Sequence, residues 1–262
     1  MLHYLHLNPE PFETIKIGEK TIEMRLYDEK RRKIKKGDVI EFQNRLNGEK
    51  IKAVVMNLYI FKSFEELYSK VDKAKLGYKK DDKASPNDME QYYSKSDIEK
   101  YGVVGIEIKL LKDVTVANLV DAGICPTCFD RENNCCLYGN NKDKMLYEND
   151  KFECFLVAKP RAIGHIVISS KAHYKDMMEI PDDLCEEIFV FAKKTMKAIK
   201  KTYGSESVYL CTMCDGLMNH FHIQLIPRYD YEKRGSKNFV KERKDYIEDK
   251  EKIRQLRLIL QK

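Results

Sequence analysis

Across residues 1–112 the apolar positions recur mainly with a period of two, in five short runs at 2–7, 21–26, 39–43, 50–60 and 103–110. A period of two sends neighbouring side chains to opposite faces of an extended chain, so these runs predict the strands of a small barrel-like β fold. The tetrapeptide Leu46-Asn47-Gly48-Glu49 predicts a hairpin, because Asn-Gly supplies the positive φ angles of a tight turn. Helical signals lie between the strands. Residues 9–18 open on prolines and close on a glycine, and Ser63 stands three residues before Glu66 in capping-box spacing. The polar stretch 73–87 ends in Ser-Pro-Asn and predicts a loop.

The pattern then changes. A short amphipathic segment at 113–123 leads into a strand pair at 152–158 and 165–169. A helix follows over 181–203, with Leu184, Ile188, Phe191, Met196 and Ile199 at helical spacing. Strands are predicted at 208–211 and 220–226. A last helix is predicted over 245–260, with Ile247, Ile253, Leu256 and Leu260 on one face. A chain of 262 residues accommodates two domains. The expected division is 1–112, a linker at 113–122, and 123–262, with an α+β fold class and no internal repeat.

Composition adds a soluble, lysine-rich character: 34% charged and 43% hydrophobic residues, without tryptophan. The net charge of +6 suits a polyanionic partner such as RNA or a nucleotide, and equally a solvated lysine-rich surface. Part of the excess sits in residues 29–36, which hold six basic residues and one acid. No apolar run approaches the ~20 residues of a membrane span, and the first residues lack signal-peptide character, so a cytoplasmic location without a membrane partner is expected. All eight cysteines lie after position 124. In a reducing compartment they read as thiols or metal ligands.

The chemistry concentrates in the second half. In an extended segment His220, His222 and Gln224 share one face, while Phe221, Ile223 and Leu225 share the other. An imidazole whose second nitrogen is held by a backbone carbonyl can attack phosphorus and carry a covalent phosphoramidate. A surface strand that merely bears two histidines is the alternative. Cys125-Pro126-Thr127-Cys128 is a knuckle that aims two thiolates at one point, and a tetrahedral site then needs two further ligands. His173 and His220 are the candidates; Cys135 or Cys136 could replace a histidine, and a redox pair or coincidence is the other reading of the knuckle. Cys211 and Cys214 read as buried structural thiols.

Residues 123–262 resemble the histidine-triad (HIT) superfamily. The resemblance rests on the C-x-x-C, on Gly164-His165 running through Lys171-Ala172-His173, and on His220-Phe221-His222-Ile223-Gln224-Leu225-Ile226-Pro227-Arg228. It implies a HIT-like α+β domain with an antiparallel sheet, and a homodimer paired through its sheets. By resemblance to zinc-bearing members, including the galactose-1-phosphate uridylyltransferase branch, Cys125, Cys128, His173 and His220 are Zn2+ ligands and His222 is the nucleophile on the α-phosphate of a nucleotide substrate. Gln224 stands where hydrolases of the family carry a third histidine. An amide bonds a phosphoryl oxygen but supplies no acid proton. This resembles the transferase and phosphorylase branches, so the adduct on His222 should be resolved by phosphate, pyrophosphate or another acceptor at least as readily as by water. Val157 stands where many members carry a ribose-binding acid. Lys159, Arg161, Asn219 and Arg228 are candidate phosphate contacts, against a reading as solvated or turn residues.

Residues 1–112 resemble the ASCH domain, a PUA-like fold associated with RNA. The matching stretches are Gly18-Glu19-Lys20-Thr21-Ile22-Glu23-Met24-Arg25, Lys36-Gly37-Asp38-Val39-Ile40-Glu41-Phe42 and Tyr101-Gly102-Val103-Val104-Gly105-Ile106-Glu107-Ile108. The resemblance implies a groove in which Lys20, Glu23 and Arg25 meet a base or backbone of RNA or a nucleotide. Simple surface ion pairing of the three is the alternative. One branch deacetylates modified cytidine with a lysine, a threonine and a glutamate; Lys20 matches the lysine, and Glu23 occupies the threonine position. The expected function is nucleotidyl hydrolysis or transfer through His222 beside an RNA- or nucleotide-binding domain. The rival is an amidohydrolase of acylated nucleosides in the first domain, with the second a non-catalytic nucleotide sensor.

Overall fold

The computed structural model describes residues 1–139, 142–235 and 241–261. It divides into two compact units, Met1–Ile124 and Cys125–Lys262. No helix among the described residues is long and apolar enough to cross a membrane.

The first unit contains β1 (Leu2–Leu7), α1 (Pro9–Lys16), β2 (Ile22–Leu26), β3 (Val39–Asn44), β4 (Lys50–Phe61), α2 (Phe64–Lys70), α3 (Lys95–Tyr101), β5 (Val103–Leu110) and α4 (Val116–Asp121). Its sheet runs β1-β3-β4-β5-β2, with β1 and β3 parallel and the other pairs antiparallel, and curls into a half-barrel. Apolar side chains cover both faces. Leu5, Phe12, Phe42, Val55 and Ile106 pack on one side; Ile22, Met24, Phe64, Leu67 and Val103 pack on the other. Two-sided burial explains why β5 begins with four consecutive buried residues where a half-exposed strand would alternate.

Residues 73–87, expected as a loop, hold a 3-10 turn at Lys73–Leu76 and the start of another at Pro86–Met89. Ser85 and Asp88 close a capping box on the second, and the Tyr68–Tyr78–Asp88 hydrogen-bonded chain ties the stretch to α2. Thr115 caps α4 by accepting from the Asn118 amide, and Leu119 is buried, so residues 113–122 are a folded part of the first unit.

The second unit contains α5 (Pro126–Asn133), β6 (Met145–Glu148), β7 (Phe152–Leu156), β8 (Ile166–Ser170), α6 (Asp182–Tyr203), β9 (Ser207–Cys211), β10 (His222–Arg228) and α7 (Lys250–Leu260). The sheet is antiparallel in the order β6-β7-β8-β10-β9. Ile166, Ile168, Phe221, Ile223 and Leu225 bury against Leu184, Ile188, Phe191 and Ile199 of α6, with Ile253, Leu256 and Leu260 of α7 in the same core. The buried positions of α6 recur every three or four residues and form one apolar stripe. Gly204, at φ +71°, ends that helix in the left-handed conformation that a side chain would resist.

The last helix is shorter than its pattern predicts. It begins at Lys250, because the Asp249 carboxylate caps the amides of Glu251 and Lys252, and Ile247 lies outside the helix at 99% exposure.

Candidate functional site

Cys125 forms the N-cap of α5 and Cys128 lies within its first turn, so Pro126 at the first helical position fixes the approach of both thiols. Arg131, farther along α5, donates to the carbonyls of Ser170 and Lys171 and pairs with Glu153 at 2.8 Å. That clamp holds the helix against the end of β8. His173 follows β8, and His220 comes two residues before β10. One donor atom from each of Cys125, Cys128, His173 and His220 lies within 4.8 Å of the other three, an arrangement that could hold a metal ion. The Nδ1 of His220 is 3.4 Å from each sulfur and 3.3 Å from the Nδ1 of His173, which is itself 3.5 Å from Cys128 Sγ. The Nε2 of His220 lies 2.8 Å from the Ser170 carbonyl. A carbonyl only accepts, so in the neutral ring Nε2 carries the proton and Nδ1 offers its lone pair to the cluster. The Cys125 thiol is held well below its ordinary value, first by the hydrogen bond with Cys128 and then by His220.

Beside the cluster, the Nδ1 of His222 lies 2.9 Å from the His220 carbonyl and donates to it. The Nε2 of His222 therefore carries a lone pair, which accepts from the Gln224 amide at 3.3 Å. Burial is the first cause that holds the His222 ring below the ordinary histidine range. Gln224 also faces His165, whose Nδ1 accepts from the Arg161 amide at 3.2 Å. Burial drives His165 down to about 3, with the charges of Arg243 and Arg161 adding to it. Gly164 permits this arrangement: its φ is +79°, and a Cβ there would stand 2.8 Å from the Tyr203 ring.

The HIT domain model matches residues 138–231, and an uncharacterized HIT-like protein of Methanocaldococcus jannaschii is 32% identical over 91 residues, covering 33% of this chain and 70% of the relative. The chain belongs to the HIT family. A Pyrococcus furiosus protein solved in solution is 38% identical, with 42% of this chain and 98% of that one covered at a TM-score of 0.34. A zinc-bound histidine triad family protein of Mycobacterium smegmatis is 18% identical, with 52% and 93% covered at a TM-score of 0.41. The ASCH domain model matches residues 5–112. The matched HIT region begins after Cys125 and Cys128.

The HIT domain brings His220, His222 and Gln224 together, and it gathers Cys125, Cys128 and His173 around His220. Cys135 and Cys136 stay outside the cluster, where Cys136 adopts φ +53°. Asn219 bonds the Gly216 amide and the Cys214 carbonyl, and so braces the turn before β10. Lys159 is exposed, with its carbonyl accepting from Arg243. Arg228, another candidate phosphate contact, is buried. It is 4% exposed, pairs with Glu206 and donates to the carbonyls of Tyr229 and Glu232, which commits its guanidinium to the fold. Cys211 and Cys214 are both partly accessible, against the expectation of burial, because β9 is an edge strand and Cys214 lies in the turn beyond it. His165 stands in the Gly164-His165 motif with no role evident from the sequence, and Arg243 lies outside every motif. The Gly-His pair was the available signal for the first; nothing in the local pattern marks the second.

The ASCH domain holds a cleft of about 760 Å³, lined among others by Tyr4, Lys20, Glu23, Arg25, Arg45 and Tyr92. The Glu23 carboxylate is 2% exposed and lies 2.9 Å from both the Lys20 ammonium and the Arg25 guanidinium. Burial alone would raise its pKa, but the two neighbouring cations outweigh that and hold it below the ordinary carboxylate range. Arg25 also donates to the His6 carbonyl at 3.1 Å. The three charges form a buried network at the wall of the cleft, in place of the surface pairs of the simpler reading.

Proposed function

We propose that the HIT domain transfers a nucleotidyl group through a covalent adduct on His222, to water or to an anionic acceptor. The observation that carries this reading is the 2.9 Å bond from His222 Nδ1 to the His220 carbonyl, which fixes the tautomer with a lone pair on Nε2. In the first step that lone pair bonds the α-phosphorus, the bond to the leaving group breaks, and the leaving group departs with the electron pair. The His220 carbonyl keeps its hydrogen bond to Nδ1 and stabilises the positive ring of the adduct. The Gln224 amide donates to a phosphoryl oxygen as charge builds there. The acceptor then attacks phosphorus and releases the imidazole.

The cluster fits zinc. Zn–N near 2.0–2.1 Å and Zn–S near 2.3 Å give tetrahedral edges of roughly 3.3–3.8 Å. The four short separations among the donors lie between 3.3 and 3.5 Å. Cys125, Cys128, His173 and His220 would hold the ion in a closed structural site, where it would act as a staple joining the start of α5 to the approach to β10 and leave the phosphorus chemistry to the side chains.

The ASCH cleft, with arginines and exposed tyrosines at its wall, is assigned to a nucleotide or single-stranded RNA. Release of nucleoside monophosphate by the His222→Ala and Lys20→Ala variants tests the division of labour. Loss of release in the His222 variant alone supports it; loss in the Lys20 variant alone transfers the activity to the ASCH domain.

A further inference from the structure

The turn that ends α5 carries two adjacent thiols. Cys136 is exposed, Cys135 is part-buried, and neither joins the cluster around His220. Asn134 closes the helix at φ +50° and Cys136 follows at φ +53°, so left-handed residues flank Cys135 on both sides. Among the described residues these are the only two non-glycine positions with positive φ. Asparagine adopts that conformation readily, whereas a cysteine resists it and must be held there by the contacts around it.

Those contacts run back along the helix. The Leu137 amide donates to the Asp130 carboxylate at 3.0 Å, and the Gly139 amide to the Cys136 carbonyl at 2.9 Å. The Tyr138 hydroxyl lies 3.5 Å from the hydroxyl of Thr127, the residue that stands between Pro126 and Cys128 in the knuckle. The turn that bears the paired thiols therefore reaches the segment that bears Cys125 and Cys128, and the backbone angle of Cys136 sets where Tyr138 falls.

We propose that Cys135 and Cys136 are a modification site that hydrogen peroxide closes to a vicinal disulfide, and that closure withdraws Tyr138 from Thr127 and loosens the zinc site. The second half rests on the zinc reading given above. In the first step the exposed Cys136, as thiolate, attacks a peroxide oxygen; the S–O bond forms, the O–O bond breaks, and hydroxide leaves with the electron pair and is protonated to water. The Cys135 sulfur then attacks the sulfenic sulfur of Cys136. The S–S bond forms, the S–O bond breaks, and the departing hydroxide takes the Cys135 proton as a second water. Two thiols are oxidised and one peroxide is reduced. Burial, with Asp130 and Cys136 adding to it, holds the Cys135 thiol above its ordinary value, which leaves the first attack to Cys136. Adjacent α-carbons stand about 3.8 Å apart, inside the roughly 4.4–6.8 Å of ordinary disulfides, so the ring is strained, resets the angles of both residues and is readily reduced. Such a bond is a reversible mark and a poor staple.

The test treats the full zinc-loaded chain with a small excess of hydrogen peroxide, alkylates the remaining thiols and maps them by mass spectrometry, while a chromogenic chelator competes for zinc. The wild type should give a peptide with Cys135 and Cys136 unalkylated and two hydrogens lighter, restored by dithiothreitol. Zinc affinity should fall about tenfold on closure, the scale of lost support around a metal site. Cys135→Ser and Cys136→Ser should keep their zinc under the same peroxide, and Tyr138→Ala should show the weakened affinity without any oxidant. Full alkylation of both residues after peroxide, or a bond from either to another cysteine, overturns the proposal. So does a closed wild type that holds zinc as tightly as the reduced one. A chain that closes the pair yet holds no zinc when reduced upholds the thiol site and removes the zinc reading instead.

Discussion

His220 and His222 are joined by a single hydrogen bond, from the Nδ1 proton of the second to the backbone carbonyl of the first, at 2.9 Å. The same His220 turns its ring toward the cysteine and histidine donors and anchors its Nε2 on Ser170. One residue thus connects the cysteine and histidine cluster to the proposed nucleophile: whatever fixes the 220 ring also fixes the carbonyl that sets the 222 tautomer. Loss of a ligand on α5 should be felt at phosphorus.

Cys125→Ser removes one donor from the proposed zinc site. Bound zinc should fall from one per chain to near zero, and the HIT unfolding transition should drop by roughly 5–10 °C. Elemental analysis with scanning calorimetry checks this. Full zinc occupancy in the variant would show that the ion is held elsewhere.

Phe221 is fully buried between the two histidines and belongs to the core beneath α6. Phe221→Ala should cost about 3–5 kcal/mol. Urea unfolding followed by tyrosine fluorescence measures it, and a cost below about 1 kcal/mol would mean that the ring is not held in that core.

His165 gives the HIT domain a pH dependence. Its folded pKa, about 3, lies below the ordinary 6.5, so between these values the unfolded chain binds the extra proton. The contribution is complete above the ordinary value and declines as pH falls toward the folded one, by up to about 1.4 kcal/mol per pH unit. His165→Asn, whose amide oxygen can still accept from Arg161, should flatten the stability profile on the acid side. Equal slopes for variant and wild type in urea titrations would contradict this.

Glu23 works in the same direction in the ASCH domain. Its lowered pKa gives stability that is present above the ordinary carboxylate value and lost as pH falls through the folded one. Glu23→Gln leaves the Lys20 and Arg25 charges beside a neutral amide, and should destabilise the ASCH transition by about 3–5 kcal/mol. Thermal unfolding with the HIT transition as internal reference reads it; an unshifted ASCH transition would contradict it.

The strands and the long helix were legible because each has one dominant period. Phe221, Ile223 and Leu225 alternate with the polar row, and Leu184 to Ile199 repeat at helical spacing. β10 begins at His222, although its alternation starts at His220, because the approach residues turn toward the cluster and pair outside the ladder. Short helices such as α3 and α5 are too brief to show a period, and they depend on caps and on contacts made elsewhere in the chain. The clustering of Cys125, Cys128, His173 and His220 was accessible through the knuckle and its family resemblance. Arg228 follows the His220–Gln224 row in sequence, and its burial against Glu206 was not legible there because the partner lies in a different segment. Arg243 was invisible because it reaches Lys159 across more than eighty positions, by a contact only the folded chain creates.

The most direct test of the account is intact-protein mass spectrometry of the zinc-loaded chain mixed with a dinucleoside polyphosphate and quenched in alkali, where a phosphoramidate survives. The account predicts one added nucleoside monophosphate, mapped to the peptide that contains His222 and absent from His222→Gly. An adduct on another residue, or undiminished turnover in His222→Gly, would contradict it.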